Sequence, residues 1–173
     1  MAGLRLDGRT AVVTGAGGNP SLGRAHALLL AQLGANVVVN DIGPKAETPN
    51  YPYPASAEAV AEEIRAAGGT AIADGNSVAT TEGANAIVAN AVEAFGRLDV
   101  LINNAGIIRN ALLADMSDAD WDLVIATHLT GSFKLTRAAW PHMAAQGYGR
   151  LVYTCSSTAM FGVAMMGNYA AAK

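Results

Sequence analysis

TAVVTGAGGNPSLG, residues 10–23, carries three structural signals in one short stretch. Thr10–Thr14 is a run of β-branched and small apolar side chains, which suits a strand buried on both faces. Glycines at 15, 17, 18 and 23 then mark a tight turn. From Leu22 the apolar spacing becomes helical and runs to Leu33, where Gly34 stops it.

The same alternation continues outward. Strand patterns fall on residues 36–40, 70–73, 99–102 and 149–154. Helical patterns fall on residues 57–67, 82–95 and 118–145, the last starting after Ser117, an N-cap residue type. Residues 43–56 hold Pro44, Pro49, Pro52 and Pro54 and read as a loop. Regular strand–helix alternation predicts an α/β fold, a doubly wound parallel sheet of the Rossmann type, in a single domain over residues 1–173. Ligands of such sheets bind beyond the strands' C-terminal ends, where every motif described below lies.

Composition narrows the function classes. The chain has 173 residues, 51% of them hydrophobic and 6% aromatic, which fits a helix-covered parallel sheet. Net charge is −3 with no basic run, so neither nucleic acid nor an anionic membrane is an expected partner. No window approaches the ~20 apolar residues of a transmembrane helix. The first residues carry Arg5, Asp7 and Arg9 and lack an apolar signal core. The single cysteine, Cys155, forms no internal disulfide and fits a reducing, cytoplasmic setting. No Cys/His cluster has metal-ligand spacing, so no metal is expected.

The glycine turn lets backbone N–H groups and the following helix N-terminus approach a pyrophosphate. A tight connection alone would also explain it. Asp41 ends the second strand, where an acid hydrogen-bonds the adenosine ribose hydroxyls and repels a 2′-phosphate. That predicts NAD over NADP; a loop-capping role is the alternative. Lys45, the nearest cation in sequence, sits in the proline-rich loop.

Four segments together resemble the short-chain dehydrogenase/reductase family. Residues 14–23 are similar to its TGxxxGxG turn. Asn103-Asn104-Ala105-Gly106 matches its NNAG motif, and Tyr169-Ala170-Ala171-Ala172-Lys173 matches YxxxK. Ser156 lies thirteen residues before Tyr169, the family's spacing for its serine. Val39-Asn40-Asp41-Ile42-Gly43, residues 95–100, residues 117–122 and His128-Leu129-Thr130-Gly131-Ser132-Phe133 look like the (3R)-hydroxyacyl-CoA dehydrogenase branch, which also handles bulky hydroxy compounds such as steroids.

The resemblance implies hydride transfer between NAD(H) and a secondary alcohol or ketone. It implies Tyr169 as general acid/base, and Lys173, one helical turn on, as the charge that favours the phenolate and holds the nicotinamide ribose. A free tyrosine, with a pKa near ~10, is otherwise a poor base. Ser156 would hydrogen-bond the substrate oxygen. Gly15, Gly23, Asn103, Ala105 and Gly106 would line the cofactor, with Asn76 and Ser77 near the adenine. The family's partners are a small-molecule substrate and further copies of the chain, as a homodimer or homotetramer.

Two departures stand out. Asn19-Pro20 lengthens the glycine turn, and Pro20 has no N–H to give a phosphate. Asn19, Ser21 and Leu22 are therefore the expected phosphate contacts. His128 stands where the family has an asparagine that supports a proton path to the lysine. A histidine titrates near neutral pH and could serve that path, or be a satisfied helix residue without a role.

Other residues carry bland readings. His26 and His142 are expected at the surface or in packing, Trp121 and Trp140 as helix-packing anchors, and Cys155 as a small hydrophobe ending a buried strand. Asp115, Asp118, Asp120 and Asp122 suit a solvated helix start. Met160, Met165 and Met166 suit either an apolar substrate pocket or the core. Two rival functions stay in view: an NADP-linked ketoacyl reductase, and a catalytically silent dinucleotide-binding module. By resemblance roughly 80–130 further residues complete the sheet after Lys173, so the chain is expected to be a truncated form without activity alone.

Overall fold

The computed structural model describes residues 4–43 and 56–173; most of the proline-rich loop, with Lys45, lies outside them. Five strands, β1 (Thr10–Thr14), β2 (Asn36–Asn40), β3 (Thr70–Asp74), β4 (Val100–Asn103) and β5 (Arg150–Tyr153), form one parallel sheet in the order β3-β2-β1-β4-β5. Helices α1 (Leu22–Gln32), α2 (Ala57–Ala66) and α3 (Thr81–Phe95) fill the first crossovers. Strand order reverses at β1, so the crevice beyond β1 and β4 is the switch point.

The unbroken apolar strands follow from burial on both faces. In β1, Ala11 and Val13 pack with Val37, Val39 and the inner faces of α1 and α2. Val12 points the other way, joining Val38, Leu101, Ile87 of α3 and Leu135. Full burial of each such valine contributes roughly 1.5–3 kcal/mol. The helices start on Ser21, Ser56 and Thr80, whose side chains accept N–H bonds from Arg24, Ala59 and Gly83. Gly96, with φ +73°, ends α3 in a left-handed conformation that other residues reach only with strain.

Three sequence readings are corrected. The long helix expected over residues 118–145 is α4 (Asp118–Ile125), a π-turn (Ala126–Thr130) and α5 (Gly131–Gln146). A π-turn is a tertiary accommodation without a propensity signature, and this one holds His128. Second, Cys155 is exposed in this chain, where β5 pairs with β4 among the described residues. Third, Trp140 is 61% exposed and does not anchor its helix within this chain, whereas Trp121, at 37%, keeps most of its surface covered. Met160 and Met165 are exposed too. Two short helices, α6 (Ser157–Phe161) and α7 (Gly167–Ala172), follow β5. Among the described residues no helix is long and apolar enough to cross a membrane.

Candidate active site

A cavity of about 550 Å3 opens beyond the C-terminal ends of the strands. Each strand supplies wall to it through the residues that follow: Gly15 after β1, Asp41 after β2, Ser77 after β3, Ala105 and Gly106 after β4, Thr154 after β5. Tyr169 and Lys173 of the last segment and His128 of the π-turn line it as well.

The glycine turn is built for close backbone approach. Gly15 has φ +64°, and a Cβ there would stand 2.7 Å from the Ala105 Cα. A Cβ on Gly23 would overlap the Gly15 carbonyl oxygen. The turn is pinned from β4 by Asn104. Its side-chain amide donates to the carbonyls of Thr14 (2.9 Å) and Gly15 (3.1 Å). The N–H groups of Asn104 and Ala105 in turn donate to Thr14 Oγ1, each at 3.1 Å. Asn104 was missed in the sequence; its place beside Asn103 and Thr14 at a strand end was the available signal.

Asp41 performs the loop role and keeps capacity for another. Its Oδ2 accepts the Gly17 N–H and its Oδ1 the Gly43 N–H, each at 2.9 Å. A carboxylate oxygen has two lone pairs, so each retains one for a ligand hydroxyl. A glycine cradle at the start of α1, a carboxylate after β2 and the apolar wall of Val78 and Ala79 fit a dinucleotide.

Of the other expected contacts, Leu22 and Ser77 line the cavity; Asn19, Ser21, Asn76 and Asn103 do not. Asn19 is exposed and Ser21 is occupied capping α1. Asn76 donates through Nδ2 to Asp74 Oδ2 (2.9 Å). Asp74 is buried and also accepts from the side chains of Asn40 (2.7 Å) and Asn90 (2.6 Å). This amide-bound carboxylate, unmarked in sequence, fixes the loop that carries Ser77. Asn103 faces a second cavity of about 310 Å3, and neither of its amide atoms has a partner.

The titratable groups meet at one place. His128 is buried, its ring centroid 5.1 Å from that of Tyr169 in an edge-on arrangement. A Cβ on Gly106 would occupy the space of the imidazole ring. His128 Nε2 lies 2.9 Å from the Ile107 nitrogen and 2.8 Å from its carbonyl oxygen. Whichever bond forms, Nδ1 stays buried without a partner. Burial pushes His128 below the ordinary histidine range, the Ile107 carbonyl opposes this, and the Lys173 ammonium adds to it. Lys173 Nζ donates to the Thr154 carbonyl (2.8 Å) and stands 5.8 Å from the Tyr169 ring centroid. Burial also pushes Lys173 below the ordinary lysine range.

Ser156 is not among the lining residues. It caps α6, accepting the Thr158 N–H at 3.2 Å, which leaves its own proton free to donate. Tyr169, Lys173 and His128 can together pass a proton at their end of the cavity, with a phosphate-bearing ligand along the glycine turn. Among the described residues no cluster of acids, His and Cys suited to a metal occurs.

Comparison with known proteins bears on the same segments. The family described as short chain dehydrogenase matches residues 9–173. Peroxisomal multifunctional enzyme type 2 of Drosophila melanogaster is 50% identical over 170 residues, 98% of this chain and 27% of the relative. A hydroxyacyl-CoA dehydrogenase of Mycobacterium tuberculosis is 44% identical over 180 residues, 97% of this chain and 53% of the relative. The crystal structure of a short chain dehydrogenase from Mycobacterium avium superposes with a TM-score of 0.85 at 46% identity, covering 98% of this chain and 59% of that one. The chain thus spans between about a quarter and three fifths of these relatives' length.

Proposed function

The chain belongs to the short-chain dehydrogenase family, and from that membership we propose that it carries the cofactor site and reacting groups of an NAD-dependent dehydrogenase acting on a secondary alcohol, with a 3-hydroxyacyl thioester as substrate class. The observation that carries the reading is the convergence of Tyr169, Lys173 and His128 in the cavity that Asp41 and the glycine turn also line. The bound nicotinamide supplies the hydride acceptor.

The chain's residues then divide the work. Tyr169 removes the proton from the substrate hydroxyl as the hydride leaves the carbinol carbon. Lys173 stabilises negative charge on the tyrosine oxygen and holds the nicotinamide ribose. Ser156 donates to the substrate oxygen. His128, uncharged at neutral pH and with Nδ1 free, passes the proton onward. Asp41 accepts the adenosine ribose hydroxyls through its unused lone pairs, and its charge disfavours a 2′-phosphate. Gly15, Leu22, Gly23, Ser77, Ala105 and Gly106 shape the rest of the cofactor bed; Asn76 supports the loop that carries Ser77 through Asp74, Asn19 and Ser21 offer backbone N–H groups at the turn, and Asn103 stands at the end of β4.

The substrate class rests on two relatives, one a hydroxyacyl-CoA dehydrogenase by name and one a multifunctional enzyme. The exposed side chains of Phe133 and Trp140 on α5 suit self-association into the dimer or tetramer, which sedimentation measures. One exposed thiol suits a reducing compartment, the cytoplasm; the insect relative is peroxisomal by name, and cell fractionation separates the two.

The test is an assay of the complete protein with NAD+ and NADP+ against 3-hydroxyacyl-CoA esters, hydroxysteroids and simple secondary alcohols. The expected result is NADH formation with the thioesters and a KM for NAD+ lower than for NADP+ by on the order of tenfold or more. Equal use of both cofactors would overturn the role of Asp41. Tight NADH binding without turnover in the whole panel would favour a silent binding module.

A further inference from the structure

The segment before Tyr169 holds a buried side chain that the roles above do not use. Asn168 is fully buried. Its Oδ1 accepts the Tyr169 N–H at 2.7 Å, satisfying one of the orphan donors of the first turn of α7. Its Nδ2 donates outward to two other segments: the Arg109 carbonyl (3.0 Å) after β4 and the Asp120 carbonyl (3.4 Å) in α4. Those two segments are themselves joined by the Arg109–Asp120 ion pair at 3.5 Å. One amide thus ties together three stretches of chain.

Their identity gives the tie a consequence. The stretch after β4 carries Gly106, which lies against the His128 ring, and Ile107, which bonds His128 Nε2. α4 leads directly into the π-turn that holds His128. α7 carries Tyr169 and leads to Lys173. A second link runs alongside, the Ala111 N–H donating to the Met165 carbonyl at 3.0 Å. Met165 sits at φ +66°, a conformation a non-glycine residue keeps only when its surroundings fix it. The Ala111 link and the Asn168 bonds therefore bracket this residue and tie α7 to the rest of the fold, beside the Lys173–Thr154 bond at its far end.

We propose that Asn168 is a positioning residue for proton transfer: it fixes the Tyr169 side chain relative to His128 and Lys173 by clamping α7 to the loop after β4 and to α4. Only an asparagine of matching length offers both the acceptor and the paired donor. Aspartate keeps the acceptor, loses both donors and sets a carboxylate against two carbonyl oxygens. Serine is too short to span the segments. The proposal rests on Tyr169 being the proton-transfer group, and its test separates the two ideas.

Asn168→Ser, Asn168→Asp and Tyr169→Phe are made in the complete protein, and kcat, KM, NADH affinity, thermal unfolding and the pH profile of kcat are compared with the parent. Both Asn168 variants are expected to bind NADH within a few-fold of the parent while kcat falls on the order of 100-fold, the cost of a reacting group displaced by about 1 Å. The limb of the pH profile that reports proton removal moves to higher pH in Asn168→Asp, because its new charge stands beside Tyr169. Unchanged kcat and pH profile in both variants would overturn the proposal. So would a loss of kcat that merely tracks loss of folding or of NADH affinity, or failure of both variants to fold, since Asn168 would then be a general stability residue. Full activity of Tyr169→Phe would overturn the role of Tyr169 itself.

Discussion

Two buried polar groups sit at opposite ends of the same sheet and are treated in opposite ways. Where β1 and β4 begin, the Asp99 side chain is fully buried and accepts from Arg97 (2.6 and 2.7 Å), Arg9 (2.8 Å) and the Thr10 N–H (2.9 Å). Burial alone would raise its pKa; the donors outweigh it and hold the carboxyl below the usual aspartate range. Where the strands end, His128 is equally buried but keeps Nδ1 without a partner, and burial leaves it uncharged rather than paired. The Asp99 carboxylate is fully paired at the end where no ligand arrives, even though the neighbouring Thr10 Oγ1 is buried without a partner, whereas the titratable His128 keeps capacity open at the end where a ligand or a proton has to arrive.

Substitutions at three positions sharpen that contrast. The largest effect belongs to Tyr169→Phe, which removes the proposed proton acceptor at the open end. Turnover is expected to fall on the order of 1,000-fold, within the range of general acid–base catalysis, with NADH affinity and unfolding temperature unchanged. A loss below about tenfold would take the chemistry away from this end.

At the closed end, Asp99→Ala leaves the buried Thr10 N–H without its acceptor and strips the charge-assisted bonds. The cost expected is about 2–3 kcal/mol, read from urea unfolding at pH 7. The two arginines are 34% and 38% exposed and recover water, which keeps the cost below that of a wholly buried pair. The sign with pH follows from a depressed folded pKa. The Asp99 contribution is present above the ordinary aspartate range of about 4 and is lost as pH falls through the folded value. Parent and variant stabilities should therefore draw closer on acidification as Asp99 takes up its proton, and a gap that does not narrow at all with falling pH would mean that the carboxylate charge is not what matters.

The smallest effect is expected from His128→Asn and His128→Ala, about tenfold or less in kcat. Because burial lowers the folded pKa of His128, the imidazole resists protonation, and its contribution to turnover persists through the ordinary histidine value of about 6.5 and is lost only as pH falls through the lower folded value. Asparagine should retain turnover but lose the feature that His128 gives on the acid side of the pH profile; alanine should lose both. Profiles of both variants identical to the parent would end the relay role and leave His128 a packing residue against Gly106.

The candidate site was unevenly legible. Asp41, Tyr169 and Lys173 were readable because a parallel α/β sheet puts its chemistry just beyond strand ends, and sequence position relative to a strand is a local property. Asn104 was marked only by its place in a strand-end motif, and Asp74 and Asn168 were not marked at all. Asp74 bonds Asn40 and Asn90, and Asn168 bonds Arg109 and Asp120, all many residues away, and nothing in the sequence around a single asparagine or aspartate reveals which carbonyl or amide will stand opposite. Asn19 and Ser21 were singled out for their backbone N–H groups; the side chain of Ser21, which caps α1, serves the helix start instead.

The sequence by itself determined the alternation of strands and helices, their ends at glycines and capping hydroxyls, and the parallel doubly wound sheet, because these depend on periodicity, backbone freedom and apolar burial within each segment. Only the tertiary structure decided that the helix over residues 118–145 breaks into a π-turn at His128, that Gly106 must lack a side chain to admit the imidazole, and that Asn168 fastens Tyr169 to two distant stretches of chain. Those outcomes depend on which buried polar atoms meet across the fold.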